Sequence, residues 1–331
     1  MFARAGGFAD KSWRFIRRLP QEMAALPLDS RRPVIYHICD HGNAHYRRAL
    51  PARGVLATCH DLLALRSERG ELPFQPSRGP LASWQQRRMF AELQKIPWLA
   101  CDSQATRTDF LRMAQRADES RVRVIPLTLN HAYRPLTSAE ITPTLAPWPK
   151  LRQQPYVLQV GGNEPRKNRM LLPKILAEAV RNGWNGLLVL AGAPPTPAWW
   201  DAVRVEGVLE RVMVVEHPTT ETLNALYSGA YALIFPSFAE GFGWPVLEAQ
   251  AAGCPVLCSN TTSLPEVAGD AALMFAPADA SGFAGGITRL AQDASLRAEL
   301  IRRGFNQVAR FSEDAMFAGY EALYQAVLAD A

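Results

Sequence analysis

Two glutamates eight positions apart bracket the segment Glu240-Gly-Phe-Gly-Trp-Pro-Val-Leu-Glu248. The run Tyr231 to Pro236 before it has strand composition, while Ser237, Glu240, Gly241 and Gly243 mark a loop. Pro245 suits a first helical turn, and Val246 to Ala252 continue as a helix ending near Gly253. This pattern puts Glu240 in the loop at the carboxyl end of the strand. Glu248 falls about one turn into the helix, on a face that can look into the same crevice. Backbone N–H groups of Gly241 and Gly243, with the helix N-terminus, favour an anion, and a diphosphate is the natural candidate.

A second cluster, Gly161-Gly-Asn-Glu-Pro-Arg166-Lys167-Asn168, follows a strand at 156–160 and precedes a helix. Gly162 and its neighbour allow close backbone approach, and Arg166 and Lys167 bring two cations to a strand end. A departing nucleoside diphosphate needs charge stabilisation of that kind. No Asp-x-Asp pair stands in the chain to supply it through a metal, and the Gly-x4-Gly-Lys-Ser/Thr order of a P-loop is missing. The plain alternative is a solvated basic turn. Thr58-Cys-His60-Asp61-Leu62 ends a strand of the first half, where an imidazole, neutral or charged, can meet a hydroxyl or a phosphate. His37, His41 and His45 stand four apart, a ligand spacing on one continuous helix. His37 ends a strand, however, and Gly42 interrupts the run, so no metal is expected. His41, His45 and Asp61 are instead placed on the acceptor side, with ordinary surface positions as the alternative.

The context Pro236-Ser-x-x-Glu240-Gly-Phe-Gly-x-Pro-x-Leu-Glu248, followed by Ser263-Leu-Pro-Glu266-Val-Ala-Gly269, resembles the signature of family-four retaining glycosyltransferases, the glycosyl transferases group 1. The resemblance covers about residues 33–310. It implies an α/β chain of GT-B architecture, two Rossmann-like doubly wound domains facing a cleft, with a nucleotide-sugar donor as substrate. It implies that Arg166 and Lys167 neutralise the donor diphosphate, that Glu248 takes the ribose hydroxyls, and that Glu240 sits by the donor sugar. Gly162, Gly241, Phe242 and Gly243 would line the donor. His60 would face the donor sugar, Ser103 would begin a helix as an N-cap, and Val214 to Pro218 would line the base pocket. The stretch from Ser263 would pack beside the nucleotide and cap a helix. The last helix, within 312–331, would cross back onto the first domain. Retention would follow from attack of the acceptor hydroxyl on the leaving-group face, the departing phosphate oxygen serving as base, without cofactor or metal. The paired-carboxylate scheme of glycoside hydrolases needs both groups to flank one glycosidic bond, which one loop and one helix position do not offer.

The elements that must position these residues alternate. Strands at 33–38, 55–59, 98–101 and 122–126 are interleaved with helical periodicity at 84–96 and 106–114, the pattern of a parallel βαβ sheet. Residues 137–151, with three prolines and no periodicity, read as a linker between domains at 1–136 and 152–311. Beyond it the alternation restarts, and the crevice is expected at the carboxyl ends of the strands. The opening of the chain lacks a hydrophobic strand followed by a Gly-rich loop, so the first domain reads as short of its first strand, or the start as downstream of the true one.

Length accommodates about two domains, and the composition is that of an ordinary globular protein. Five cysteines in strand-like surroundings read as buried thiols of a reducing compartment. No apolar run spans a bilayer and no signal core is evident, so the cytoplasm is expected. Residues 1–150 carry 23 Lys+Arg against 13 Asp+Glu, while the remainder carries 13 against 18. A basic first half points to an anionic partner. Phe2 to Arg18 interleaves aromatics with arginines, so it reads either as a surface helix or as a segment lying on the inner face of the membrane. A glycan or lipid-linked acceptor is expected, and nucleic acid is not, since no binding module accompanies the charge. The leading expectation is a transferase of cell-envelope or polysaccharide glycans. The alternatives are a catalytically silent nucleotide-sugar-binding protein and a phosphorylase or hydrolase on the same fold. A dinucleotide dehydrogenase is poorly supported, because no Gly-x-Gly-x-x-Gly opens either domain.

Overall fold

The structure, a computed structural model, describes residues 33–330 except 73, 75–78, 115 and 116, together with Arg18. The stretch Phe2 to Arg17 and the question of a missing first strand lie outside the described residues. The chain divides into two compact units, one running to Pro126 and taking back Met316–Ala331, the other spanning Leu127–Ala315.

The first unit is built on four parallel strands in sequential order, β1 (Tyr36–Ile38), β2 (Val55–Cys59), β3 (Trp98–Cys101) and β4 (Val122–Val124). Successive side chains point to opposite faces of a strand. Val55, Ala57, Cys59, Leu99 and Cys101 accordingly pack with Phe90, Leu93 and Phe110 of the connecting helices. Leu56, Trp98 and Ala100 face the other way, onto Ile125 and onto Leu323 and Val327 of the last helix, Glu313–Ala329. That helix covers the second face of the first sheet. Its approach is close, since a Cβ on Gly319 would stand 3.2 Å from Ile125. Asp330 accepts hydrogen bonds from Arg121 at 2.6 and 3.0 Å and from the Trp98 indole at 3.3 Å, which ties down its end.

The second unit holds six parallel strands: β5 (Tyr156–Gly161), β6 (Leu187–Gly192), β7 (Val212–Glu216), β8 (Ala232–Phe235), β9 (Val256–Ser259) and β10 (Ala272–Phe275). Their order is β10-β9-β8-β5-β6-β7, so the winding reverses between β5 and β8. Tyr156, Leu158, Leu233 and Phe235 lie in one core layer, and Val157, Ala232 and Ile234 in the other. Both faces are covered, as a parallel sheet requires.

Three expectations change. Residues 137–151 are not a linker: they hold helices Ser138–Thr144 and Lys150–Gln153 inside the second unit, and the boundary falls at Pro126. Thr137 and Glu140 form a reciprocal capping box and Leu145 is buried; Pro143 lies in the first short helix, Pro147 in the turn after it, and Pro149 just before the second helix. Gly42 does not interrupt its run, because Asp40 caps a 3-10 helix over His41–Ala49 by accepting from the Gly42 N–H. Cys39, finally, is exposed, whereas Cys59, Cys101, Cys254 and Cys258 are buried.

Candidate functional site

In an open parallel sheet, ligands bind beyond the carboxyl ends of the strands, where the winding reverses. Here the reversal brings together two loops far apart in sequence, Gly162 to Asn168 after β5 and Pro236 to Gly243 after β8. The two are stitched by backbone. Phe238 N donates to Arg166 O at 2.8 Å, and the Asn168 amide, on a left-handed residue, donates to Pro236 O at 3.0 Å. Glu240 is thereby carried onto the basic pair. Its Oε1 accepts from Lys167 Nζ at 2.7 Å and its Oε2 from Arg166 Nη1. Glu240 and Lys167 are buried, and Lys167 Nζ also lies 4.8 Å from the Phe235 ring centroid. At this strand end two cations share one hydrogen-bonded carboxylate.

The loop is held by its neighbours. Ser263 Oγ donates to the carbonyls of Glu240 (3.0 Å) and Phe242 (2.7 Å), while Glu240 N donates to Thr262 Oγ1 at 3.0 Å. The Ser263 hydroxyl therefore braces this loop and makes no side-chain cap on the helix Leu264–Ala268. Gly243 has φ 111° and begins the helix Trp244–Ala251; a Cβ there would meet Leu264 Cδ2 at 2.8 Å. Only glycine takes that geometry without strain. Phe242, expected against the donor, is buried and packs edge-on to Phe311, with 5.7 Å between ring centroids. Gly162 stands in the β5 loop beside Glu164, and Gly241 between Glu240 and Phe242.

Glu248 lies in the fifth position of its helix and is buried. Its Oε2 accepts from the Tyr227 hydroxyl at 2.8 Å, and the Asn130 side chain also hydrogen-bonds it. Burial pushes the Glu248 carboxyl above the usual carboxylate value, and those two hydrogen bonds oppose the rise. Behind the β5 loop, Arg169 is buried and donates to Gln159 Oε1 (2.8 Å), Asn163 Oδ1 (3.0 Å), Ala193 O (2.8 Å) and Gly161 O. Burial lowers its guanidinium to about 10. It is a strut beneath the loop that carries Arg166 and Lys167.

In the first unit a second group gathers at the ends of β1, β2 and β3. His60 Nδ1 meets Asp102 Oδ2 at 2.6 Å, and His60 Nε2 donates to Cys39 O at 3.0 Å. The hydrogen bond to Asp102 raises His60 to about 9. His41 Nδ1 accepts from His60 N at 3.4 Å, and burial lowers His41. In a 3-10 turn His41 and His45 lie about 120° apart, so they share no face. His45 packs on Tyr46, with 4.4 Å between centroids. Asp61 Oδ1 accepts from Leu63 N at 3.0 Å, which starts the helix Leu63–Glu68. His37 bridges Tyr324 (2.9 Å) and Thr58 (2.8 Å), and burial lowers it as well. Ser103 caps its helix by accepting from Thr106 N.

Asp102, Tyr227, Asn130 and Arg169 were missed from the sequence. For Asp102 a signal existed: it is the first residue after a strand in the position where His60 follows another. Tyr227 and Asn130 carried none, because Glu248 lies 21 and 118 positions away from them, and Arg169 none because its contacts to Gln159 and Ala193, 10 and 24 positions away, come from packing.

The second unit is doubly wound about this reversal, whereas the four described strands of the first unit run in sequential order without one, so among the described residues only one of the two expected doubly wound domains is found. The α/β fold is that of the GT-B glycosyltransferases. The model of the family described as Glycosyl transferases group 1 matches residues 144–307. Through that segment the chain belongs to the group 1 glycosyltransferases. It is 33% identical over 236 residues to the O-antigen chain mannosyltransferase B of Escherichia coli, covering 69% of this chain and 60% of that protein. The chain thus spans less than two thirds of that relative. Among solved structures, the sucrose-phosphate synthase of Thermosynechococcus elongatus superposes with a TM-score of 0.74 at 23% identity, over 99% of this chain and 81% of the other. HepE of Anabaena, solved with UDP and glucose, gives 0.75 at 13%, over 98% and 84%. These two likenesses concern the fold.

Proposed function

We propose that this protein is a retaining glycosyltransferase that moves a hexosyl group from a nucleoside-diphosphate sugar to a hydroxyl acceptor in cell-envelope or polysaccharide glycan synthesis. The observation that carries it is the meeting of Arg166, Lys167 and Glu240 at the β5–β8 reversal, with Glu248 one turn into the next helix. In this mechanism the diphosphate takes up the positive charge of Arg166 and Lys167, which Glu240 only partly cancels. The bond between the anomeric carbon and the phosphate oxygen breaks as the acceptor oxygen bonds to that carbon on the same face. The acceptor proton passes to the departing phosphate oxygen. The two side-chain cations hold the charge that develops, so we take the reaction to need no metal.

We assign Glu248 to the ribose hydroxyls, Glu240 to the sugar, and the N–H groups of Gly162, Gly241 and Gly243 to the phosphates. His60 is assigned to a hydroxyl or phosphate oxygen, and His41, His45 and Asp61 to the acceptor side. The O-antigen mannosyltransferase makes a mannosyl nucleotide the first donor to try, and an envelope glycan or lipid-linked acceptor the first acceptor class. We place the protein in the cytoplasm, on the inner face of the membrane through its basic first unit. Among the described residues no helix is long and apolar enough to cross a membrane.

The test is thermal stabilisation by a panel of nucleoside diphosphates and their sugars, with magnesium and with EDTA, followed by transfer assays using the donor that binds. Metal-independent stabilisation by one nucleotide series and transfer with retained anomeric configuration is the expected result. Tight binding without transfer to any acceptor would leave the silent binding protein, and turnover without an acceptor the hydrolase.

A further inference from the structure

Both ring nitrogens of His60 are committed, and that constrains its protonation. A backbone carbonyl only accepts, so Nε2 must carry a hydrogen to reach Cys39 O at 3.0 Å. Asp102 Oδ2, at 2.6 Å from Nδ1, meets an N–H when the carboxyl is ionised. Burial pushes the Asp102 carboxyl above its ordinary value and the contact with His60 opposes that rise; with the carboxyl ionised and both nitrogens satisfied, the ring is an imidazolium. Asp102 is 2% exposed against 42% for the His60 side chain, so the carboxylate is the fixed member and the imidazole the accessible one. Among the described residues Asp102 Oδ1 has no partner, which leaves His60 as the sole side-chain contact of that carboxylate.

We infer that Asp102 is a positioning residue that holds His60 as a charged, donating imidazolium at neutral pH at the strand ends of the first unit. For its consequence this inference rests on the proposed function. His60 then cannot take a proton from an acceptor hydroxyl at neutral pH. It acts by donating Nε2–H to a ligand hydroxyl or phosphate oxygen, which replaces the Cys39 carbonyl as partner. The proton of the acceptor must leave by another route, which agrees with the phosphate oxygen as base.

The surrounding charges work in the same direction or are silent. From the end of β1 and the turn after it, Asp40 favours the charged ring. His37 on β1 and His41 on the 3-10 helix are both lowered, burial first, so they stay neutral beside it. Asp61 follows His60 in the chain, and Tyr320 of the last helix reaches the same strand end through Thr58. Among these only Asp102 touches the ring as a carboxylate, so it dominates.

The test is an NMR titration of the full chain labelled with 15N-histidine, the His60 signals being assigned with His60→Gln. Six histidines keep the spectrum tractable. In the wild type His60 should titrate at about 9, and in Asp102→Asn near the ordinary 6.5. Asp102→Glu, which restores the carboxylate, should bring the value back up, and it serves alone if the asparagine variant does not fold. A wild-type value at or below 6.5, or a high value that survives in Asp102→Asn, overturns the inference. In the transfer assay, kcat/KM of Asp102→Asn should match the wild type most closely at pH 6 and fall away by about 30-fold at pH 8, following the protonated fraction. An equal loss at both pH values would mean that Asp102 only supports the fold, and also overturns it. Absence of transfer by the wild type would defeat the proposed function, while the titration would still decide the pair.

Discussion

Replacing Glu240 with alanine removes the one carboxylate that Arg166 and Lys167 share. The side chains of Glu240 and Lys167 are 6% and 10% exposed and that of Arg166 is 23%, so most of the interaction lies away from water. Breaking a buried pair by deleting one partner costs about 3–5 kcal/mol, because the remaining charge is stranded. Partial exposure of Arg166 screens its share, so the low end, about 3 kcal/mol, is the expected loss. For a unit the size of Leu127–Ala315 this lowers Tm by roughly 6–12 °C. The ligand-free loss should be reversible by an anion. Pyrophosphate, which carries no base or sugar, has to compete with Glu240 in the wild type but finds both cations open in the variant. Its stabilisation, about 2.7 kcal/mol at a hundredfold excess over Kd, should therefore be reached at lower concentration in Glu240→Ala. Differential scanning calorimetry of the full chain over a pyrophosphate series measures both effects. The reasoning is refuted if the variant melts with the wild type, or if pyrophosphate shifts the wild type as readily as the variant.

Further outcomes follow from the same geometry. Glu248→Ala should weaken nucleoside diphosphate binding by roughly 10–100-fold in isothermal titration calorimetry, the worth of a charged hydrogen bond of about 1.5–3 kcal/mol; an unchanged Kd would remove Glu248 from the site. Gly243→Ala combines φ 111° with a 2.8 Å clash on Leu264, so it should destabilise by at least about 1–3 kcal/mol and depress transfer. A urea midpoint equal to that of the wild type would contradict this. Leu323→Ala opens the layer between the last helix and the first sheet and should cost about 2–5 kcal/mol in urea unfolding, with nucleotide affinity unchanged; a loss under 1 kcal/mol would show that the helix does not cover that face firmly.

Much of the candidate site was legible because its residues stand at strand ends within compact motifs. A strand, a glycine-rich loop and a helix in succession place Glu240 in the loop and Glu248 about one turn into the helix without knowledge of any neighbour. The same local logic located Arg166 and Lys167. It failed where the sequence signal was composition alone. Three prolines in 137–151 read as a linker, and the Thr137–Glu140 capping box that starts a short helix there went unread. Phe242 was expected beside the donor, and its ring is buried against Phe311.

The sequence by itself determined the alternation of strands and helices, the parallel sheets, and the loops that carry charge, since hydrophobic period and turn chemistry act over a few residues. Tertiary structure decided which loops meet. β5 and β8 are separated by two strands in the chain and adjacent in the sheet, so only the order of winding puts Glu240 on Arg166 and Lys167. β2 and β3 are adjacent too, and that neighbourhood turns an ordinary helix-start aspartate into the partner of His60. Pairing across such distances depends on the sum of packing over a whole sheet, which no local pattern in the chain records.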